Sequence, residues 1–176
     1  MENIEMIDIY DENKNKTGKT KIRHKDILEK GEFVIGVQAI IINSNKQILI
    51  SQRSALKENG PLEWECNGGA LLSGEDVIDG LVREIYEELG IKLQKDKATF
   101  LKTAKEGHRF KEIYLFEMDI EINELKFADG EVISAKWVSI EEFMNMFNNG
   151  EIVYNVDFDD KDYERCLSLL KLSNEN

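Results

Sequence analysis

Residues 69–91 read GALLSGEDVIDGLVREIYEELGI, a glycine-containing loop that runs into an amphipathic helix. Ser73 and Asp76 form an S-x-x-D pair, which is typical of a helix N-terminus, and Gly90 is typical of a helix end. Between them, apolar residues recur at helical spacing and predict one buried face, made of Ile78, Leu81, Val82, Ile85 and Leu89. The stretch therefore predicts a loop, a helix of about three turns, and a second loop.

The same helix concentrates negative charge on a second face. At about 100° per residue, Glu84, Glu87 and Glu88 fall within roughly 100° of arc, where they repel one another. Gly80 projects into the same sector and, having no side chain, predicts room for a ligand. Clustered carboxylates suit a hard divalent cation such as Mg²⁺ or Mn²⁺. A Glu-rich helical face is usually just solvated, and this explains the pattern without a ligand, so the helix alone leaves both interpretations open.

The loop before the helix favours a ligand site. Gly68 and Gly69 allow a backbone to approach a ligand closely. Glu75 and Arg83 are eight residues apart, so they can lie near each other about two turns along the helix. The spacing predicts that Arg83 holds Glu75 in place.

Composition limits the classes of partner. The chain has 176 residues and a formal net charge of −12, which fits one domain and opposes binding to nucleic acid or to membrane surfaces. Its two cysteines, Cys66 and Cys166, indicate a reducing compartment without a disulfide framework. The acidic residues 1–14 lack the pattern of a signal peptide, and the longest apolar run, 33–42, is too short for a membrane helix. These features predict a cytoplasmic protein.

The remaining segments predict a mixed sheet with helices on its faces. Residues 33–42 and 46–53 form a predicted hairpin through the turn at 43–46, and 11–18 form a predicted polar turn that ends at Gly18. Further strands are predicted at 4–10, 98–107, 111–120 and 131–140, and further helices at 139–150 and 159–172.

The loop and helix at 69–91 resemble the Nudix box, the signature of the Nudix hydrolase family. Every fixed position of the box is filled, by Gly69, Glu75, Arg83, Glu84, Ile85, Glu87, Glu88, Gly90 and Ile91. The resemblance implies an α/β/α sandwich with a mixed central sheet and a loop-helix-loop catalytic motif. It also implies one Nudix domain over 1–176, with an N-terminal extension at 1–30, a core at 30–150 and a C-terminal helix at 151–176.

The resemblance implies a hydrolase that depends on Mg²⁺ or Mn²⁺ and cleaves a diphosphate linkage in a nucleoside diphosphate derivative or a related organic diphosphate. The implied metal ligands are the carboxylates and one backbone carbonyl of Glu84, Glu87, Glu88 and Gly68. Arg83 would orient Glu75 by an ion pair. The general base is open between Glu88, the first choice, and Glu131, which lies six residues before Trp137. Binding a cation would also lessen the repulsion between an acidic protein and an anionic substrate.

Two alternatives belong to other functional classes. The segment 32–64 is also similar to isopentenyl-diphosphate isomerase, but the cysteine that this enzyme needs would fall at about Gly69, and Cys66 lies three residues earlier. A Nudix-like module that binds a nucleotide without cleaving it would be expected to have lost box carboxylates, and none is lost here. The expected partner is a small-molecule, nucleotide-derived diphosphate. A monomer and a homodimer both remain open.

Overall fold

A computed structural model describes residues 4–152 and 158–173. Within them, nine strands and three helices follow one another as β1 Met6–Tyr10, β2 Lys16–Ile22, β3 Val34–Ile42, β4 Ile48–Arg53, β5 Trp64–Glu65, β6 Gly68–Ala70, α1 Val77–Leu89, β7 Thr99–Glu106, β8 Arg109–Glu117, β9 Val132–Val138, α2 Ile140–Asn148 and α3 Asp160–Ser173. Short 3-10 helices lie at Lys95–Lys97 and Ile122–Glu124. None of the helices in this part of the chain is long and apolar enough to cross a membrane.

The central sheet is mixed. Its strands run in the order β5-β4-β3-β8-β7, with β6 paired to β3 and β9 paired to β4. Strands β3 and β8 are parallel, and the other pairs are antiparallel. Because β3 is covered on both faces, nearly all of its residues are buried, as expected of a central strand.

Helices cover both faces of the sheet, which confirms the predicted α/β/α architecture. On one face, α1 packs its buried stripe against alternate residues of β3, in a cluster that includes Leu81, Ile85, Leu89, Val37, Ala39 and Ile41. On the other face, α2 and α3 pack against the intervening residues, in a cluster that includes Phe143, Cys166, Ile40 and Ile42. The period of two in β3 therefore divides its side chains between two cores.

The predicted hairpin at 33–53 is present only at its turn end. Strands β3 and β4 pair through Ile42 and Ile48, beside the 43–46 turn. Farther along, β6 occupies the edge of β3 from Gly36 to Gln38, and β4 pairs instead with β5 and β9. The insertion of β6 brings the glycine-containing loop into the middle of the sheet.

The predicted polar turn at 11–18 is too long. The turn is confined to residues 11–15, where the Asp11 carboxylate accepts hydrogen bonds from the Asn13 and Asn15 amides. Strand β2 begins at Lys16 and contains Gly18, and it pairs antiparallel with β1 in a separate two-stranded sheet. Most side chains of β2 are exposed, so the strand lacks the apolar alternation that would have predicted it.

The N-terminal cap predicted for α1 is also wrong. The helix begins at Val77 after Asp76, whose side chain makes no capping hydrogen bond. Ser73 does not cap the helix, because its hydroxyl donates to Asp8 Oδ1 over 2.6 Å. The predicted end is confirmed, since Gly90 follows the helix with a φ of 71°.

Candidate active site

Arg83 lies among the carboxylates of the loop and helix. Its Nε and Nη2 contact the two oxygens of Glu75 at 2.7 and 2.9 Å, as the spacing predicted. Its Nη1 contacts Glu84 at 2.9 Å and Glu87 at 3.0 Å, and Nη2 also donates to the Ala70 carbonyl. The hydrogen bond from Arg83 lowers the pKa of Glu75, so this carboxylate stays charged. One cation thus relieves part of the repulsion on this helix face.

Glu84 is buried beneath β6. The residue is 7% exposed, and a Cβ added to Gly69 would lie 2.1 Å from its carboxyl carbon. Only glycine at position 69 leaves space for this carboxylate. Burial raises the pKa of Glu84, and the charge of Arg83 opposes that rise.

The helical projection predicted room for a ligand beside Gly80, and this prediction is wrong. A Cβ at Gly80 would lie 2.6 Å from Leu71 Cδ1 and 3.1 Å from Glu75 Oε2. Leu71 and Glu75 come from the preceding loop and fill the space. Gly80 therefore permits close packing of loop on helix, and the glycine that makes room for a carboxylate is Gly69.

Glu88 occupies a separate, poorly solvated position. Its Oε2 accepts a hydrogen bond of 2.9 Å from Asn67 Nδ2. Burial raises the pKa of Glu88 to about 7, and the nearby charges of Glu65 and Glu84 add to the rise. The Asn67 hydrogen bond and the charge of Lys57 act in the opposite direction. Keeping Glu88 charged is therefore unfavourable in the absence of a further cation.

The pKa of Glu88 gives a stability prediction for the metal-free protein. A carboxyl group whose pKa rises from 4.5 to about 7 on folding stabilises the fold fully below pH 4.5, and loses that contribution as the pH rises through 7. Gln does not titrate. With a chelator present, we compare the unfolding free energy of wild type and Glu88→Gln at pH 5 and at pH 8. From pH 5 to pH 8, wild type is expected to lose about 1–2 kcal/mol more than the variant, a value that allows for partial solvent exposure of Glu88. Urea denaturation of both proteins measures the difference, and an equal difference at both pH values would contradict it.

Lys57 connects two of the candidate acids, although no sequence pattern singles it out. It lies in the loop between β4 and β5 and forms an ion pair with Glu131, whose side chain is 43% exposed. The same loop is tied to Glu131 by the hydrogen bond from the Ser54 amide to the Glu131 carbonyl, at 2.8 Å. Burial lowers the pKa of Lys57, and the charge of Glu88 is the largest opposing effect. Lys57 thus contacts Glu131, the residue before β9, and interacts electrostatically with Glu88.

Glu65 is a further buried acid that the sequence did not indicate. It is 9% exposed, and Arg53 Nη1 contacts both of its carboxylate oxygens, at 2.9 and 2.8 Å. Burial raises the pKa of Glu65, while Arg53 opposes the change. The sequence alone does not single out Glu65. Its position becomes clear only in the fold, where β5 places it opposite Ser51 of β4.

The side chains on α1 have the ligand chemistry that a divalent cation requires. Glu84, Glu87 and Glu88 offer oxygen ligands, which Mg²⁺ and Mn²⁺ prefer. Across residues 4–152 and 158–173, no three acidic, histidine or cysteine side chains already converge as a metal-binding group. Arg83 holds Glu84 and Glu87, and Asn67 holds Glu88, so binding an ion requires these carboxylates to exchange partners. Burial raises the pKa of Glu88, so a cation beside this carboxylate would offset part of the cost of its charge.

Gly68 lies in β6, opposite Gln38 of β3. A Cβ at Gly68 would lie 2.0 Å from the Val37 carbonyl oxygen, so the strands approach each other closely only with glycine here. Gly68, whose carbonyl is the predicted backbone ligand, therefore lies in the strand that covers Glu84 and directly precedes Gly69.

Cys66 does not belong to the acidic site. It is 3% exposed and packs in the core cluster on the α2 and α3 face of the sheet, away from α1. Burial raises the pKa of its thiol to about 12. A buried, protonated thiol lacks the reactivity of a catalytic cysteine.

A mixed sheet lies between helices, and the acidic helix α1 follows β6, the short strand that contains Gly68 and Gly69. This arrangement is the α/β/α class to which Nudix domains belong. A family model of the NUDIX domain matches residues 32–156, and the chain belongs to the Nudix hydrolase family. The match overlaps the predicted core at 30–150, while the assignment of both flanks to the same domain stays a prediction.

Known relatives agree with this membership. An uncharacterized Nudix hydrolase of Listeria monocytogenes is 33% identical over 153 residues, which span 85% of this chain and 89% of the relative. The crystal structure of DR0079 from Deinococcus radiodurans has a TM-score of 0.72 at 24% identity, covering 92% of this chain and 99% of that one. A bifunctional NMN adenylyltransferase/ADP ribose pyrophosphatase of Francisella tularensis, in complex with AMP and a Mn ion, has a TM-score of 0.54 at 23% identity, covering 80% and 42%. The two crystal structures share the fold.

Proposed function

We propose that this Nudix hydrolase cleaves a diphosphate linkage in a nucleoside diphosphate derivative or a related organic diphosphate, and that it requires Mg²⁺ or Mn²⁺. The observation that supports this most strongly is the arrangement of carboxylates on α1. Glu84, Glu87 and Glu88 lie within five residues of one helix, and Gly69 leaves space for the buried member. The Mn ion in the Francisella complex supports the choice of metal.

Each box residue receives a proposed role. The cation would be held by Glu84, Glu87 and Glu88, with the Gly68 carbonyl as a further ligand. When bound, it would neutralise the diphosphate and acidify a water molecule. Arg83 keeps Glu75 in place through two hydrogen bonds, and so fixes the loop against the helix.

The general base is proposed to be Glu88, with Glu131 as the second candidate. Lys57 forms an ion pair with Glu131 and interacts electrostatically with Glu88, which supports considering these two acids together. Glu88 is tied to Asn67 next to the glycine strand, whereas Glu131 is more exposed and comes from a loop. Glu88 is therefore the better fixed of the two.

The proposed setting is the cytoplasm, and the proposed partners are small molecules. Both cysteines are free and buried, which agrees with a reducing compartment. A net charge of −12 opposes partners with an anionic backbone or surface and favours a substrate that arrives with its own cation. The proposal applies equally to a monomer and to a homodimer, and it treats residues 1–176 as a single domain.

The direct test is a substrate panel of sugar nucleotides, dinucleotides, oxidised nucleotides, coenzymes and isoprenoid diphosphates, each incubated with Mg²⁺ or Mn²⁺. We expect phosphorus NMR to show cleavage of a diphosphate bond in at least one compound. Chelation is expected to lower the rate by at least about a hundredfold, because the donor set cannot neutralise the substrate without a cation.

Two results would favour the alternative functions. Tight nucleotide binding by calorimetry, without product after prolonged incubation with metal, would indicate a binding module. Deuterium incorporation into isopentenyl diphosphate would indicate an isomerase, which the buried Cys66 argues against.

A further inference from the structure

The hairpin formed by β1 and β2 is bonded directly to the loop that leads into α1, although it precedes the segment that the NUDIX family model matches. The Ser73 amide donates to the Met6 carbonyl over 2.8 Å. The Asp8 carboxylate accepts hydrogen bonds from the Ser73 hydroxyl at 2.6 Å and from the Gly74 amide at 3.1 Å. Each oxygen of Asp8 therefore holds one of two consecutive residues of this loop.

The hairpin is itself anchored to the rest of the fold. Tyr10, at the end of β1, exchanges two backbone hydrogen bonds of 2.8 Å with Phe33. Tyr10 also lies in a buried apolar cluster with Leu71 of the same loop, and the cluster is completed by Ile35 of β3 and Phe110 of β8. Because the strand is fixed against the central sheet, a side chain two residues earlier in β1 is held in a defined place.

Asp8 is a charged acceptor in a largely covered position. Its side chain is 14% exposed, and Lys16 of β2 contacts its Oδ2 at 2.7 Å. Hydrogen bonds to a carboxylate are stronger than those between neutral groups. The bonds from Ser73 and Gly74 to Asp8 are of this kind, so they restrain the loop more than neutral contacts would.

The loop passes this restraint to Arg83. The Leu72 amide donates to Glu75 Oε2 at 2.9 Å, and Arg83 contacts the two oxygens of Glu75 at 2.7 and 2.9 Å. The remaining terminal nitrogen of Arg83 contacts Glu84 and Glu87. One guanidinium is thus shared between the loop carboxylate and two of the proposed metal ligands. If Glu75 leaves, Arg83 is free to pair more fully with those ligands and to compete with a cation for them.

We propose that Asp8 is a positioning residue for the cation site on α1. It holds the loop in which Glu75 lies, so that Glu75 stays paired with Arg83. Arg83 is then less able to compete with a cation for the other carboxylates of the helix. This inference rests on the proposed binding of Mg²⁺ or Mn²⁺, and it gives the hairpin outside the matched segment a task in that binding.

The test compares the Mn²⁺ affinity of Asp8→Asn and Asp11→Asn, measured by electron paramagnetic resonance of free Mn²⁺ without substrate. The amide nitrogen of Asn cannot accept, so Asp8→Asn loses one of the two loop contacts. Its dissociation constant is expected to rise roughly tenfold, as for a residue that orients metal ligands through another group. Asp11→Asn removes the same charge from the same hairpin, but Asp11 accepts its hydrogen bonds from Asn13 and Asn15 in the turn. Its affinity is expected to stay within about twofold of wild type.

Ser73→Ala tests the same contact from the other side and leaves the net charge unchanged. It is expected to raise the Mn²⁺ dissociation constant about threefold or more. In the double variant the increase is expected to be smaller than the product of the two single effects, because both substitutions act through one contact. Equal Mn²⁺ affinity in Asp8→Asn and Asp11→Asn would overturn the proposal, whatever stability either variant loses, and so would an unchanged affinity in Ser73→Ala.

The Mn²⁺ measurement also separates this inference from the proposed function, since it needs no turnover. If wild type hydrolyses a panel compound while Asp8→Asn and Ser73→Ala bind Mn²⁺ as wild type does, the role of Asp8 fails and the hydrolase proposal stands. If no compound is hydrolysed but the affinities differ as expected, the hydrolase proposal fails and the positioning role stands. Absence of Mn²⁺ binding by wild type overturns the positioning role.

Discussion

Glu88→Gln is expected to lower kcat by about three orders of magnitude or more while the protein stays folded. Gln preserves the size of the side chain and its contact with Asn67, but it removes the charge that a divalent cation requires. Burial makes this charge unfavourable in the metal-free protein, so its removal will not destabilise the fold above neutral pH. The measurement is kcat under saturating metal and substrate, together with the unfolding free energy of both proteins.

Glu131→Gln is the matched control for that result. Both acids interact with Lys57, but Glu131 lies outside the helix and is more exposed. We expect Glu131→Gln to lower kcat no more than about tenfold, as for a residue that adjusts the environment of the base. A larger loss in Glu131→Gln than in Glu88→Gln would transfer the role of general base to Glu131. An unchanged rate in Glu88→Gln would remove Glu88 from the mechanism.

Gly69→Ala is expected to have the second largest effect. The added Cβ would lie 2.1–2.4 Å from the carboxyl atoms of Glu84, so the carboxylate must leave its place beneath β6. Displacement breaks its contact with Arg83 and leaves buried charge without a partner. We expect a loss of about 2–4 kcal/mol in unfolding free energy and at least about a hundredfold in kcat. Denaturation and steady-state kinetics measure the two effects separately.

Gly107→Ala provides the comparison for Gly69→Ala. Gly107 has a φ of 53° at the β7–β8 turn, and a Cβ there would meet nothing within 4 Å. The expected cost is about 1 kcal/mol of backbone strain, with kcat unchanged. If Gly69→Ala retained the stability and rate of Gly107→Ala, the tight fit of Glu84 under the glycine strand would be wrong.

The sequence predicted those features that depend on spacing within one element. The apolar stripe of α1 and its end at Gly90 follow from helical geometry. The Glu75–Arg83 contact joins the loop before α1 to a residue only eight positions later, which short spacing also predicted. The apolar run at 33–42 likewise predicted a strand. In each case the partners lie within a few turns or on a known face, so no knowledge of the rest of the chain is needed.

The features that the sequence could not predict depend on partners that are distant along the chain. Ser73 was expected to cap α1, but Asp8, 65 residues earlier, competes for its hydroxyl. Gly80 was expected to leave room for a ligand, and Leu71 folds back into that space. Such competition is decided by tertiary packing, which periodicity within one element does not contain.

The electrostatic surroundings of the site were hidden for the same reason. Lys57 lies in a loop, and Glu65 lies on a strand of two residues, so neither carries a periodic pattern. Their charges act on Glu88 because the chain folds these distant segments into one sheet with β6, which packs against α1. The nine box positions identified the family, whereas Lys57 and Glu65 come from a loop and a two-residue strand with no signature.

The central claim is that the carboxylates of α1 hold a divalent cation against a diphosphate. Anomalous diffraction from crystals soaked with Mn²⁺ and imidodiphosphate tests it most directly. We predict a manganese peak at about 2–2.5 Å from oxygens of Glu84, Glu87 and Glu88, with the diphosphate on its other side. A map without manganese at these carboxylates, with Glu84 and Glu87 still bound to Arg83 and Glu88 still bound to Asn67, would contradict the claim.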